Sequence, residues 1–384
     1  MYLRRIKFED IDHESYFLWG PRQSGKSTLL RQMFPKSLYF DLLLSTEYRR
    51  LLNQPQLLRQ QYLALSLKEQ IDVQPIIIDE VQKIPELLNE VQWLIVNHNV
   101  RFILCGSSAR KLRRGHGNLL GGRALRHQLH PLVNPEIPEF NLYHALNRGL
   151  LPKIYQSERY DGLLKAYISD YLKEEILEEA LTRNISAFSQ FLDVMSLSNG
   201  EIINYKNIAR DCGVSAPTVK EYFQILVDTL LGYYVPAYTK TIKRRAIHAP
   251  KFFLFDLGVV NSLAKRGVLE QGSELFGKAF EHYILMELMA YSDYSEKKFS
   301  IRYWRSSSGV EVDFILGDSV AVEVKSTILV NSHHTKNIRA LKEENLMNAY
   351  IVVSLDEKRR LTNEGIIIIP WKEFLSQLWR GEIV

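Results

Sequence analysis

Cysteine is scarce in this chain. Only Cys105 and Cys212 occur among its 384 residues, and they form no C-x-x-C pair. That excludes a disulfide framework and a cysteine zinc site, and it suits a reducing compartment. Both read as buried small hydrophobes. Long apolar runs are missing as well: no stretch of about 18 apolar residues occurs, so no membrane-spanning helix is expected. Residues 1–14 alternate charged with apolar side chains and lack the unbroken apolar core of a secretion signal. The expectation is a soluble, cytoplasmic protein with no membrane partner. An excess of one charge is also small. The balance of 49 Lys and Arg against 44 Asp and Glu leaves +5, with a pI near 8.9, which favours polyanionic partners but falls far short of a histone-like surplus.

Apolar residues make up 46% of the chain, enough for a sizeable core. Its length suggests two or three domains at the usual size of about 100–200 residues. The first local signal is Gly20, Pro21, Arg22, Gln23, Ser24, Gly25, Lys26 and Ser27, a complete G-x-x-x-x-G-K-[ST] phosphate loop. It lies between an apolar run, residues 16–19, and a helix-like run that continues through Thr28. In that setting the loop N–H groups cradle phosphates, Lys26 reaches the outer ones and the Ser27 hydroxyl ligates Mg²⁺. ATP with Mg²⁺ is therefore expected, bound by residues 20–28.

Short apolar strands follow at 37–41, 74–80 and 101–108, separated by helix-like segments, a pattern that argues for a parallel sheet covered on both faces. Ile76, Ile77 and Ile78 run into Asp79 and Glu80 at the strand end, where α/β sheets place ligands. Asp79 would hold Mg²⁺ through water, and Glu80 would polarise the attacking water. Ser107 and Ser108 close the next strand, where a polar side chain meets the γ-phosphate or the water, although a plain turn explains them nearly as well. Arg123, after two glycines, is a candidate arginine finger toward a neighbouring subunit. Arg110, Arg113, Arg114 and Arg126 compete for the role.

The order of these motifs, ending in Gly106-Ser107-Ser108 and Gly121-Gly122-Arg123, resembles a prokaryotic AAA+ ATPase family whose C-terminal half is poorly characterised. The resemblance covers essentially the whole chain. It implies a homo-oligomeric ring, hexameric or heptameric, with nucleotide at subunit interfaces. The family's strand-end sensor falls on Ser107, where other AAA+ proteins commonly carry asparagine.

In the middle, Ile208 and Ala209 pack one helix, Gly213 makes a turn and Ser215 caps a second helix, which is helix-turn-helix spacing. Val219, Phe223, Leu226 and Val227 form the buried stripe of that second helix. Thr218, Lys220 and Gln224 are left outward, toward a major groove. The basic stretch after it, with Lys240, Lys243, Arg244, Arg245 and Lys251, reads as a β-hairpin wing suited to phosphate contact. A module used only for packing fits the same pattern. Residues 161–181 read as a helical link.

Beyond Gly272 the order is a long helix at 276–290, strands at 299–305, 310–316 and 320–325, a helix near 335–344 and a strand at 350–354. If residues 317–319 form a three-residue loop, Leu316 faces Val320, Asp313 lies across from Glu323 and Glu311 from Lys325. These polar groups then share one face, and Val312, Phe314, Leu316, Val320, Val322 and Val324 share the other. Two opposed carboxylates repel unless a cation or a shared proton relieves them. This αβββαβ order resembles the restriction-endonuclease-like fold. Its D-x(n)-E-x-K metal signature matches Asp313, Glu323 and Lys325, and its helix glutamate matches Glu281. The resemblance implies Mg²⁺ or Mn²⁺ on Asp313 and Glu323, with Lys325 and Glu281 in catalytic roles. His333 and His334 read as loop residues.

The fold expected is α/β: an ATPase module at 1–150, a helical and winged-helix module at 151–270, and a nuclease-like domain at 271–384. The function expected is ATP-controlled, metal-dependent processing of nucleic acid, most simply DNA. The alternative is an ATP-switched scaffold that grips nucleic acid or protein without cutting.

Overall fold

The computed structural model describes residues 2–108, 120–172, 185–241 and 243–384, which form two compact units. The first comprises residues 3–131 with 228–230, and the second Tyr2, 132–227 and 231–384. Arg110, Arg113 and Arg114 lie outside the described residues, as does the far end of the expected link at 161–181.

In the first unit five strands, β1 (Ser15–Trp19), β2 (Tyr39–Asp41), β3 (Ile76–Asp79), β4 (Phe102–Gly106) and β5 (Ala124–Gln128), make one sheet in the order β2-β3-β4-β1-β5. Every pair is parallel. Strands β1, β3 and β4 are buried along their whole length, which is why they read as unbroken apolar runs rather than alternating ones. Helices α1 (Lys26–Met33), α2 (Ser45–Asn53), α3 (Leu57–Leu63), α4 (Leu67–Asp72) and α5 (Leu87–His98) connect them. Leu87, Val91 and Leu94 of α5, with Leu51 and Leu58, pack on Phe17, Ile76, Ile78 and Leu104. Because all strands run the same way, the loops after β1, β3 and β4 collect along one sheet edge.

Leu132, Ile137, Leu146 and Leu150 pack into the core of the second unit, so the division falls near residue 131 rather than 150. That unit contains α6 (Leu142–Arg148), α7 (Ile185–Leu197), α8 (Tyr205–Cys212), α9 (Ala216–Asp228), β6 (Gly232–Val235), β7 (Lys251–Leu254) and α10 (Leu257–Leu263). Helices α8 and α9 flank the turn expected at Gly213. Asn204 caps α8 through the Asn207 N–H at 3.1 Å, Gly213 ends it at φ 64°, and the Ser215 hydroxyl accepts from the Thr218 N–H at 3.3 Å at the start of α9. Phe223 of α9 meets Phe191 and Phe252 edge-on, with centroids 4.9 and 4.7 Å apart.

The wing does not form as expected. Strands β6 and β7 pair antiparallel, but the chain between them leaves the pair and runs along an edge strand of the C-terminal sheet. Ala237 bridges to Tyr303 and Ala246 to Ser306. An unpaired strand edge is a ready template, and this excursion covers it.

The C-terminal order matches expectation and then continues: α11 (Glu274–Tyr294), β8 (Ile301–Arg305), β9 (Glu311–Leu316), β10 (Val320–Lys325), α12 (Lys336–Lys342), β11 (Ala349–Ser354), β12 (Arg360–Leu361), β13 (Ile367–Pro370) and α13 (Trp371–Trp379). The mixed sheet runs β12-β13-β11-β10-β9-β8. Leu316 pairs with Val320, as the three-residue loop requires. The loop closes with Gly317 and Asp318 at positive φ, 55° and 68°, and the Asp318 carboxylate takes Lys240 and Arg302, each at 2.6 Å.

One face of the hairpin differs from expectation. Phe314, Leu316, Val320, Val322 and Val324 pack with Phe280 and Ile284 of α11, whereas Val312 joins Trp304, Ile315 and Ala321 against Ile338 and Leu341 of α12. The alternation breaks because the β9–β10 pairing ends at Phe314 and Val322, and β8 shifts register against β9 between Arg302 and Trp304.

Candidate nucleotide site and a buried carboxylate cluster

The phosphate loop turns directly off β1. Gly20 has no room for a side chain, since a Cβ there would lie 2.6 Å from the Leu129 carbonyl oxygen. Gln23 and Gly25 take positive φ, 59° and 94°. Lys26 opens α1, only 5% exposed, and its Nζ donates to the carbonyls of Gly20 at 2.7 Å and Pro21 at 3.0 Å. Pro21 and Ser24 are buried, Arg22 and Ser27 partly so, and Gln23 and Thr28 are exposed. Arg4, unnoticed in the sequence, braces the loop from outside by donating to the Ser24 and His130 carbonyls, both at 2.6 Å.

Asp79 and Glu80 leave β3 at the same edge. One Asp79 oxygen accepts from the Tyr39 hydroxyl at 2.6 Å and the other from the Glu80 N–H at 3.1 Å. Burial, with the Asp79 charge beside it, raises the Tyr39 hydroxyl well above the usual tyrosine range, so it stays a neutral donor. Glu80 turns the chain at φ 58°. Its carboxylate accepts from the Gln82 amide, which also donates to the Ser107 hydroxyl at 3.1 Å, and Ser107 donates to the same Glu80 oxygen at 3.4 Å. Ser107 thus sits beside Glu80, where a sensor was expected, through contacts that the sequence did not disclose. Gly106 makes room for this arrangement, because a Cβ there would lie 2.2 Å from Gln82 Oε1.

Arg123 lies elsewhere. It precedes β5, whose Ala124 pairs with Ser15 at the start of β1, so it occupies the sheet edge opposite its own phosphate loop. Five residues of strand separate the two edges, about 17 Å. It is exposed, and its guanidinium donates to the Leu120 carbonyl at 3.3 Å. Arg126 is exposed on β5.

The fold and loop of the first unit define a P-loop ATPase domain. Residues 12–137 match a family model described as an AAA domain. Residues 139–270 and 276–374 match two models described as domains of unknown function, DUF8612 and DUF4143. Among solved structures, a Walker-type ATPase of Pyrococcus abyssi is similar at 16% identity over 66% of this chain and 92% of its own, with a TM-score of 0.44. A signal-transduction ATPase with numerous domains and a tetratricopeptide-repeat sensor, from Pyrococcus horikoshii, aligns at 15% identity over 75% of this chain and 46% of its own, with a TM-score of 0.19. No curated protein matches the chain. Among the described residues no helix is long and apolar enough to cross a membrane.

In the second unit the β9–β10 ladder ends at Phe314 and Val322, so Asp313 and Glu323 are not the ladder pair expected. They still lie within electrostatic reach of each other, as does Lys251, expected as part of the wing. Asp313 sits where β9 and β10 part, and its carboxylate accepts from the Val324 N–H at 2.7 Å in place of a ladder bond. Glu323 is 1% exposed. Lys325 Nζ lies 2.6 Å from one Glu323 oxygen as an ion pair, and no other donor among the described residues meets either oxygen. Burial, then the Asp313 charge, pushes this carboxyl up to about 8. Burial opposes the charge on Lys325, yet Asp313 and Glu323 outweigh it and hold the ammonium above the usual lysine range.

Glu281 of α11 reaches the same cluster, but it is paired. Lys251, at the start of β7, lies 3.2 Å from Glu281 and 2.5 Å from Glu311, and Glu311 also takes Arg305 at 3.0 Å. Among the described residues no group of three or more His, Cys, Asp and Glu side chains is arranged to hold a metal.

The expected DNA contacts are largely engaged. Lys243 donates to the Glu343 carbonyl at 2.5 Å, and Arg244 pairs with Glu343 and Glu344 at 2.5 and 3.4 Å. Excess carboxylate at the end of α12 draws them in. Arg245 is exposed, Lys220 is exposed above the Tyr205 ring at 5.3 Å, and the Thr218 hydroxyl shares a hydrogen bond with Ser215 at 2.8 Å. His334 lines a pocket beside Lys325, with a volume of about 410 Å³, together with Gln271, Ser326 and Thr327.

Proposed function

We propose that the protein hydrolyses ATP in its first unit and that this turnover governs a nucleic-acid-cutting site in its second. The observation that carries the ATPase reading is the convergence of Lys26, Asp79, Glu80 and Ser107 at one sheet edge. The loop N–H groups hold the phosphates. Lys26 spends two of its three N–H bonds on loop carbonyls and has the third for the γ-phosphate. Ser27 and Asp79 are the residues that would hold Mg²⁺, which offsets phosphate charge when bound. Tyr39 and the Glu80 amide keep Asp79 oriented, and Gln82 and Ser107 aim Glu80 as the base for the attacking water. Lys26→Ala is expected to abolish phosphate release; native turnover in that variant would sink the reading.

The cutting site is supported by the buried Glu323 carboxylate, which has Lys325 as its one partner among the described residues, next to Asp313. This pair suits one divalent cation, Mg²⁺ or Mn²⁺, which when bound would polarise a phosphodiester and acidify a water. Asp313 is positioned for it by the Val324 N–H. Lys325 would offset charge developing on the phosphate, and the pocket with His334, Ser326 and Thr327 would receive the strand. Glu281, expected among the catalytic groups, is instead neutralised by Lys251. The test compares native protein with Asp313→Ala on single- and double-stranded DNA, with Mg²⁺ or Mn²⁺, with and without ATP. Metal-dependent cutting that vanishes in the variant and responds to ATP is expected.

The engagement of Lys243 and Arg244 favours a second reading, an ATP-switched scaffold. Binding without cutting in the same assay would select it.

A further inference from the structure

We propose that Lys251 is the resident second cation of the carboxylate cluster, so that the site takes a single divalent ion on Asp313 and Glu323. The proposal rests on the cutting-site reading above and narrows it to a one-ion site. Four carboxylates, Glu281, Glu311, Asp313 and Glu323, lie within electrostatic reach of one another. Two of them are engaged by Lys251, which is 3% exposed and lies 3.2 Å from Glu281 and 2.5 Å from Glu311. Arg305 takes the second oxygen of Glu311 at 3.0 Å. The other two carboxylates face a different cation: Lys325 lies 2.6 Å from Glu323, but its side chain is 29% exposed and can turn to solvent, which the enclosed Lys251 cannot. Asp313 is held by a backbone N–H, and Glu323 meets no donor besides Lys325 among the described residues.

Lys251 is not a surface lysine that happens to fold inward. It opens β7, and its backbone is fixed by pairing with Val235 and by a bridge to Ile202. Its ammonium also stands 5.4 Å from the centre of the Tyr303 ring, a further cation contact. A second divalent ion on Glu281 and Glu311 would have to share this enclosed space with the ammonium, and repulsion between like charges at a few ångströms in a buried setting is large. The ammonium and a second ion therefore exclude each other. Lys251 acts as a positioning residue: it fixes Glu281 and Glu311 away from the ion and leaves Asp313 and Glu323 to bind it.

The experiment is a Mn²⁺ titration of the nucleotide-free full chain, with free Mn²⁺ read by electron paramagnetic resonance and an Asp313→Asn/Glu323→Gln variant as the blank. Native protein is expected to bind one Mn²⁺ above the blank, and Lys251→Met two. Two ions in the native chain, or one in a folded Lys251→Met, would overturn the proposal. Should Lys251→Met fail to fold, Glu281→Gln decides. It is expected to keep the native Mn²⁺ affinity within about twofold, whereas a loss of about tenfold or more, the usual effect of disturbing a metal site, would mean that Glu281 is a ligand after all. No Mn²⁺ above the blank in native protein would instead remove the cutting-site reading itself, and the one-ion proposal with it.

Discussion

Gln82 stands two residues beyond Glu80, yet its amide decides where the Glu80 carboxylate points. Replacing it with alanine should lower kcat for ATP by about tenfold and leave KM unchanged, because Gln82 touches Glu80 and Ser107 rather than the phosphate loop. Steady-state kinetics separates the two constants; a rise in KM with constant kcat would place Gln82 in nucleotide binding instead. The octapeptide from Gly20 to Ser27 was legible because its chemistry is contained in consecutive residues. Gln82 was not, since its partners Glu80 and Ser107 follow the ends of β3 and β4 and its space depends on the missing side chain of Gly106. Lys251 misled for a related reason: among neighbouring basic residues it looks exposed, and only packing against Glu281 and Glu311 shows that it is buried.

At the scale of elements, α11 and β7 are joined by a histidine. His282 is fully buried; its Nε2 shares a hydrogen bond with the Leu254 carbonyl at 2.7 Å, and its Nδ1 with the Asn199 amide at 3.3 Å. The carbonyl can only accept, so Nε2 carries the proton and Nδ1 accepts. Burial lowers its pKa to about 4 from the ordinary 6.5. The stability carried by neutral His282 is therefore full above about pH 6.5 and is lost as pH falls through 4. Glu287, on the same helix, accepts from the Asn134 N–H at 2.7 Å and the Trp379 indole at 2.8 Å, and burial raises it to about 7. Its contribution has the opposite sign, full below about 4.5 and lost as pH rises through 7. Melting temperature measured from pH 4 to 8 should lose slope on the acid side in His282→Gln and on the neutral side in Glu287→Gln. An unchanged acid limb in a folded His282→Gln would refute the first assignment. Element order was readable here, because helix and strand periods and the loop after Leu316 are local. The wing was misread because Ala237 and Ala246 bridge to the edge of a sheet formed by residues far along the chain. The break that sends Val312 to the other face comes from a register shift in β8, which alternation in β9 alone does not reveal.

For the whole molecule, Arg123 provides the test of assembly. It stands on the sheet edge remote from its own phosphate loop, so any part it takes in hydrolysis must be played on another copy of the chain. Lys26→Ala and Arg123→Ala proteins, each expected to hydrolyse ATP poorly, should recover turnover when mixed, because a mixed interface pairs an intact loop with an intact arginine. Inactivity of the mixture, or normal turnover by Arg123→Ala alone, would end the finger assignment. The chain matches three family models, yet residues 132–227 and 231–384 fold as one unit with Tyr2, and the source of Lys251 shows what that union means. Glu281, Glu311, Asp313, Glu323 and Lys325 all follow the junction near residue 271, but Lys251 precedes it. A fragment cut at that junction would carry the recognisable signature whole while leaving Glu281 and Glu311 without their buried counter-ion, so the seam visible in the text of the protein is not one along which its chemistry can be transplanted.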